Sequence, residues 1–273
     1  MDAKALITEG RLTEARRHLV AAVKSSPADL SSRTLFFQVL AYSGEWDKAR
    51  RQLEVIAMQD STREMGAAAY LNLIQAETER VEVFQQKRQP AFMPQTPGYF
   101  DRYESARQHL ENGEFDEAEA IYKEIDGLVG QIAGTINGNA FTGFKDTDTR
   151  LSFFLEAFVH ERYVWLPLES LRELILPAPK TLLDLLWTSA QITTREGLTL
   201  NCNLPVLYPQ SFQQEDDRLK LGRLTDWIDL GGGFFQGAGQ HVFQVGTEDV
   251  PILEIREVVF QSWTSEKDDE NSH

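Results

Sequence analysis

Gly10-Arg11-Leu12-Thr13-Glu14-Ala15-Arg16 returns as Gly44-Glu45-Trp46-Asp47-Lys48-Ala49-Arg50 and again as Gly113-Glu114-Phe115-Asp116-Glu117-Ala118-Glu119. The glycines stand 34 and then 69 residues apart. The first interval is the tetratricopeptide period and the second is close to twice it. In the first copy Ala15, Leu19, Ala22 and Pro27 follow the glycine at the spacing of a tetratricopeptide second helix. Each type has a reason: glycine tolerates the tight inter-helix turn, small alanines let paired helices approach, and proline ends the second helix. The second copy keeps Ala49 and Leu53 but carries Ile56 and Ser61 in place of the last alanine and the proline, and the third keeps Ala118 and Tyr122. First-helix positions depart further, with Arg33 and Phe37 where a tryptophan and a small residue are usual. These features predict a divergent array of helical hairpins. Residues 61–86 read as one long helix in place of a missing unit, with Ser61 or Thr62 as its cap. Pro90, Pro94 and Pro97 make 89–98 an extended connector, expected inside the helical unit.

Beyond Gly127 the alanine-rich pattern gives way to glycine-punctuated, β-branched and aromatic segments. Asn137-Gly138 signals a two-residue hairpin turn. Leu151, Phe153, Leu155, Ala157 and Val159 alternate up to His160-Glu161, where a second hairpin turns into Arg162–Leu166. A short helix carrying Leu168, Leu171 and Leu174 is expected after Pro167, and further strands at 191–194, 198–204, 241–245 and 252–260. The predicted fold class is α+β. Divergent tetratricopeptide-like helical repeats over 1–127 precede a smaller β-rich α+β domain over 128–265, and a polar, flexible tail follows over 266–273.

The 273 residues include 42% hydrophobic and 10% aromatic ones, enough for real cores. The formal charge of −15 repels phosphate backbones and anionic lipid surfaces, which argues against nucleic acid and membranes as partners. No apolar run approaches the roughly 20 residues of a bilayer span, and the N-terminus lacks signal-peptide features, so the expected location is cytoplasmic. The single cysteine, Cys202, reads as a small apolar filler.

Gly134–Gly138, Arg162–Pro167, Leu204–Pro209, Leu221–Trp227 and Val250–Arg256, in this order behind a repeat-like helical segment, resemble the ImpE family, also called SciE or TagJ. The resemblance covers nearly the whole chain. It implies an accessory protein of a type VI secretion system, contributing to virulence through a contractile sheath. The implied partner is an N-terminal helix of the small sheath subunit, and indirectly the ClpV-type ATPase that recycles contracted sheath.

The residues themselves suggest no catalysis and no cofactor. His18, His109, His160, His241 and His273 show no metal-ligand spacing, though His160 and His241 lie by strands that could bring them together. The stretch from Gly231 to Gly239 is glycine-rich like a phosphate loop, but no Gly-Lys-Ser/Thr follows and a strand, not a helix, comes next, so a flexible surface loop is expected, carrying Phe234 and Phe235. Glu215-Asp216-Asp217 reads as a solvated turn, and Asp226 and Asp229, flanking Trp227, are candidates for paired hydrolytic carboxylates that spacing alone does not bring together. The leading function is a non-catalytic adaptor. The alternative is a hydrolase-like or small-ligand-binding activity in the C-terminal domain with the repeats as docking module. A chaperone for a secreted effector would use the same kind of groove.

The first helix of each unit lines the concave face of a tetratricopeptide array. Registering the units on Gly44 and Gly113 turns Thr34, Gln38 and Tyr42, then Tyr103 and Arg107, toward that groove. The middle helix adds Tyr70 and Leu73 by the same count. Aromatic rings offer contact area at small entropic cost, and Gln38 and Arg107 offer hydrogen bonds, which suits a helical guest. The alternative for Tyr42 and Tyr103 is packing between repeat helices.

Overall fold

The computed structural model describes residues 2–261. Its helical half contains α1 (Ala3–Thr8), α2 (Leu12–Ser25), α3 (Leu30–Tyr42), α4 (Trp46–Gln59), α5 (Glu64–Phe84), strand β1 (Ala91–Phe92), α6 (Phe100–Asn112) and α7 (Phe115–Val129). Gly10, Gly44 and Gly113 each sit in the turn between two helices, at φ +81°, +66° and +77°, where a side chain is disfavoured. Counting five, nine and twelve residues on from the glycine reaches Ala49, Leu53 and Ile56 on α4, and Ala118, Tyr122 and Ile125 on α7, all buried. This one-sided spacing is what a helix needs to bury one stripe. Consecutive helices pack on one another: α1 on α2, α2 on α3, α3 on α4, α4 on α5, and α6 on α7. Asp60 caps the turn that precedes α5 by accepting the Thr62 N–H at 3.1 Å, and Arg63, at the N-cap of α5 itself, makes no side-chain cap. Ser61 and Thr62, read as caps, form a 3-10 turn with Arg63 that leads into the helix.

The β-rich half consists of β2 (Ala133–Ile136), β3 (Asn139–Thr142), β4 (Phe144–Asp146), β5 (Phe154–Val159), β6 (Arg162–Pro167), β7 (Leu171–Ile175), β8 (Trp187–Thr194), β9 (Thr199–Pro205), short helix α8 (Asp217–Lys220), β10 (Thr225–Gly231), β11 (Phe234–Gly239), β12 (Val242–Val245), β13 (Glu248–Pro251) and β14 (Glu257–Phe260). A nine-stranded sheet runs β1-β6-β5-β9-β8-β7-β14-β2-β3, beside a three-stranded sheet β13-β12-β4 and the pair β10-β11. Asn137-Gly138 turns β2 into β3 with φ of +49° and +84°, and His160 at φ +54° turns β5 into β6. Instead of the helix expected after Pro167 there is a 3-10 turn over Leu168–Ser170 and then β7. A register shift between Leu171 and Glu173 explains the misreading. The irregularity lets Leu171 and Leu174, three apart, both be buried from a strand, and so imitates helical spacing.

The two halves share one core. A continuous cluster of buried apolar residues extends from Ala3 to Phe260. The proline-rich connector is not confined to the helical unit, because β1 pairs in parallel with β6, Ala91 with Val164 and Phe92 with Trp165. The Phe92 ring lies 4.7, 5.7 and 6.1 Å from those of Phe100, Phe154 and Trp165. Gly127 is inside α7, and the change to strand follows Gly130. Among the described residues all strands but β1 follow it, and 131 residues (131–261) follow Gly130 against 128 (2–129) before it, so the β-rich portion is not the smaller one. The expected tail over 266–273 lies outside the described residues.

Candidate partner-binding groove

Of the seven residues that the repeat register turns toward a groove, three share one. Thr34 and Gln38 on α3 and Tyr70 on α5 line a groove of about 270 Å³ whose other walls include Phe37, Leu53, Ile56 and Ala67. The other four residues are buried. Tyr42 donates its hydroxyl to the Leu182 carbonyl at 2.7 Å. Tyr103 donates to the Arg150 carbonyl and packs edge-on against Phe154 and Trp165. Leu73 lies in the core, and Arg107 donates to Glu104 at 3.1 Å while lying over the Tyr103 ring at 5.9 Å. Burial holds the Tyr42 and Tyr103 hydroxyls well above the ordinary phenol range. These positions therefore depart from the expected groove, since Tyr42 and Tyr103 meet the β-rich half: large amphipathic side chains that suit a ligand suit a sheet equally.

One wall of the groove, α5, is held on the sheet by a buried polar network that the sequence reading missed. Arg80 donates Nε and Nη2 to Glu156 on β5 at 2.8 and 2.6 Å, and Nη2 also to the Leu207 carbonyl at 2.8 Å. Glu77, one turn earlier on α5, accepts the Trp187 indole N–H at 2.9 Å. Glu156 further accepts the Tyr163 hydroxyl, which itself accepts the Trp165 indole N–H. His241 lies between two carboxylates, with Nδ1 2.9 Å from Asp146 and Nε2 3.0 Å from Glu156. A neutral imidazole has one N–H and would turn a lone pair toward one of them. Burial works against the imidazolium, but Asp146 and then Glu156 outweigh it and raise its pKa to about 9. Burial likewise opposes the Glu156 carboxylate, and the charge of Arg80 with hydrogen bonds from His241 and Arg80 holds it at about 2. Glu77 is raised by burial, partly offset by Arg80. One signal was available: Glu156 is a lone charge in Phe154–Val159, a strand otherwise apolar.

The remaining candidates fall apart in space. His160 is exposed in the β5–β6 turn, His241 is buried, and Asp226 and Asp229 are exposed on β10. Burial pushes the Cys202 thiol up to about 12. Among the described residues no three His, Cys, Asp or Glu side chains are placed to hold a metal ion, and no helix is long and apolar enough to cross a membrane. The glycine-rich stretch is not a flexible loop but the turn and second strand of the β10–β11 hairpin. A Cβ on Gly237 would stand 2.3 Å from the Tyr208 ring, and one on Gly232 2.5 Å from Phe115, so these glycines exist for close packing. Nor is Glu215-Asp216-Asp217 merely a solvated turn. Asp216 caps α8 by accepting the Arg218 N–H at 2.8 Å, and Asp217 accepts the Thr13 N–H and hydroxyl at 2.7 and 2.9 Å.

The comparisons with known proteins agree with this architecture. A model of the ImpE protein family matches residues 138–259. Over 261 residues the chain is 31% identical to the type VI secretion system accessory component TagJ of Pseudomonas aeruginosa, covering 96% of this chain and 92% of that one. A crystal structure of a Vibrio parahaemolyticus protein superposes with a TM-score of 0.85 over 96% of this chain and 98% of its own, at 23% identity, a likeness of fold. With a family match in the β-rich half and a relative aligned along nearly its full length, the chain belongs to the ImpE family.

Proposed function

We propose that the chain is a non-catalytic accessory adaptor of a type VI secretion system, working in the cytoplasm. Its helical groove holds an amphipathic N-terminal helix of the small sheath subunit, and this contact assists handling of contracted sheath by the ClpV-type ATPase. The observation that carries the reading is the groove between α3, α4 and α5, in which Thr34, Gln38 and Tyr70 surround an apolar floor of Phe37, Leu53 and Ile56. An apolar trough with a few polar groups at its sides fits the i, i+3, i+4, i+7 anchors of a guest helix. Near-complete alignment with a type VI secretion accessory component supports the wider role. On this reading the divergent tetratricopeptide-like register supplies the groove from Thr34, Gln38 and Tyr70, while Tyr42 and Leu73 anchor its walls α3 and α5 in the core and Tyr103 and Arg107, on α6, lie outside it.

The test is calorimetric binding of the sheath subunit's N-terminal peptide to the full chain and to Gln38→Ala and Tyr70→Ala. Each variant should lose about 2 kcal/mol, roughly thirtyfold in affinity, if these residues are hot spots, with the melting temperature little changed. Unchanged affinity in both would remove the site from this groove, and no binding by the parent chain would reject the partner.

A further inference from the structure

β10 has an open edge. Among the described residues it pairs with β11 alone. On β11, Phe235 and Gly237 donate their N–H groups away from the pair, to Thr149 Oγ1 and Asp148 Oδ2, both at 3.0 Å. By the alternation of an antiparallel ladder, Gln236 and Ala238 are then the residues that bond to Ile228 and Asp226. Trp227 and Asp229 consequently turn their main-chain N–H and C=O groups outward. The Trp227 N–H is met at 2.9 Å by the neighbouring Asp226 carboxylate, a local contact that a partner's carbonyl could replace.

The strand is rigid and apolar enough to receive another. The Trp227 indole N–H is pinned on Thr147 Oγ1 at 3.0 Å, yet Leu224, Trp227 and Ile228 remain 40%, 39% and 41% exposed. An edge with such side chains is a template for strand addition. The charged residues on β10 are Asp226 and Asp229, and the whole chain carries −15.

We infer that β10 is a docking edge for an extended segment of a protein partner in which two basic residues three positions apart enclose apolar ones. The main chain of Trp227 and Asp229 extends the ladder, Asp226 and Asp229 select the basic positions, and the exposed rings and branched chains receive the apolar ones. A second copy of this chain does not fit, because self-pairing would gather Asp226 and Asp229 of both copies on one four-stranded sheet. This edge takes a strand and is independent of the groove that takes a helix.

The experiment uses the full chain with a synthetic peptide of about seven residues in which two lysines three positions apart enclose valines, and the same peptide with glutamates in place of the lysines as control. Binding is read by calorimetry and by amide hydrogen exchange. The valine–lysine peptide should bind, slow exchange at Trp227 and Asp229 by about tenfold or more, and lose about tenfold in affinity to the chain carrying Asp226→Asn and Asp229→Asn. Asparagine keeps the carbonyl acceptors that these positions offer to Trp227 and Gly231, so the melting temperature should hold. Equal binding of the two peptides, absence of binding, protection in α3–α5 rather than on β10, or self-association through β10 would each overturn the inference.

Discussion

At the scale of the residue, the notable cost in this molecule is the burial of Arg80, His241, Glu156, Asp146 and Glu77 under α5. Buried ions are tolerated when each charge meets partners, and removal of one partner costs about 3–5 kcal/mol because the other is left uncompensated. Here every carboxylate oxygen of Glu156 accepts at least one hydrogen bond, from Arg80, Tyr163 or His241. The arrangement makes stability depend on pH. His241, raised from 6.5 to about 9, contributes stability that is full below about pH 6.5 and lost as pH rises through about 9. Glu77, raised by burial, acts in the same sense. Glu156, lowered from 4.5 to about 2, contributes stability that is present above about pH 4.5 and lost as pH falls toward about 2. Through His241 and Glu156 melting temperatures should fall below about pH 4.5 and decline from about pH 6.5 toward about pH 9, with Glu77 adding to the loss from about pH 4.5 upward. His241→Gln should melt lower than the parent near pH 6 and lose much of the alkaline decline. A parent curve flat through the alkaline limb would mean that His241 is buried neutral.

At the scale of the element, several features depend on groups supplied from far along the chain. Arg11 gives α2 no side-chain cap, and Asp217 provides one from 204 residues away. Asp217→Ala should cost about 1 kcal/mol, the usual value of an N-cap, and hydrogen exchange should quicken in the first turn of α2 as well as around α8. Quickening confined to α8 would show that the contact with Thr13 carries no stability. The β10–β11 hairpin is likewise held by Thr147, Asp148 and Thr149 side chains, with no third strand among the described residues. Neither dependence can be read from local spacing. By contrast the turns at Gly10, Gly44 and Gly113 were legible, because left-handed backbone and a buried alanine five residues on are local requirements.

At the scale of the whole molecule, the two compositional halves are energetically one. Tyr42 reaches Leu182, Tyr103 reaches Arg150, Arg80 reaches Glu156, and β1 completes the edge of the large sheet. The full chain should therefore unfold in a single calorimetric transition, and a fragment of residues 1–130 should lack a cooperative melt, since the partners of Tyr42, Tyr103, Arg80 and Phe92 would be absent. Two separate transitions in the full chain would contradict the shared core. The sequence alone determined what depends on near neighbours: the helical hairpins marked by their glycines, the Asn137-Gly138 and His160-Glu161 turns, and the succession of helical and β-rich halves; the alternation expected over 151–159 does not hold, because β5 begins at Phe154 and is buried on both faces. Only the tertiary structure decided which face of the helices remains free. Tyr42 lies one turn beyond Gln38 on α3 and Tyr103 holds the register of Thr34, and periodicity cannot distinguish a face covered by a sheet from one left open. It also decided that Glu156, His241 and Arg80, far apart in the chain, share one buried network, because that meeting requires α5, β5 and the segment before β12 to be packed together first.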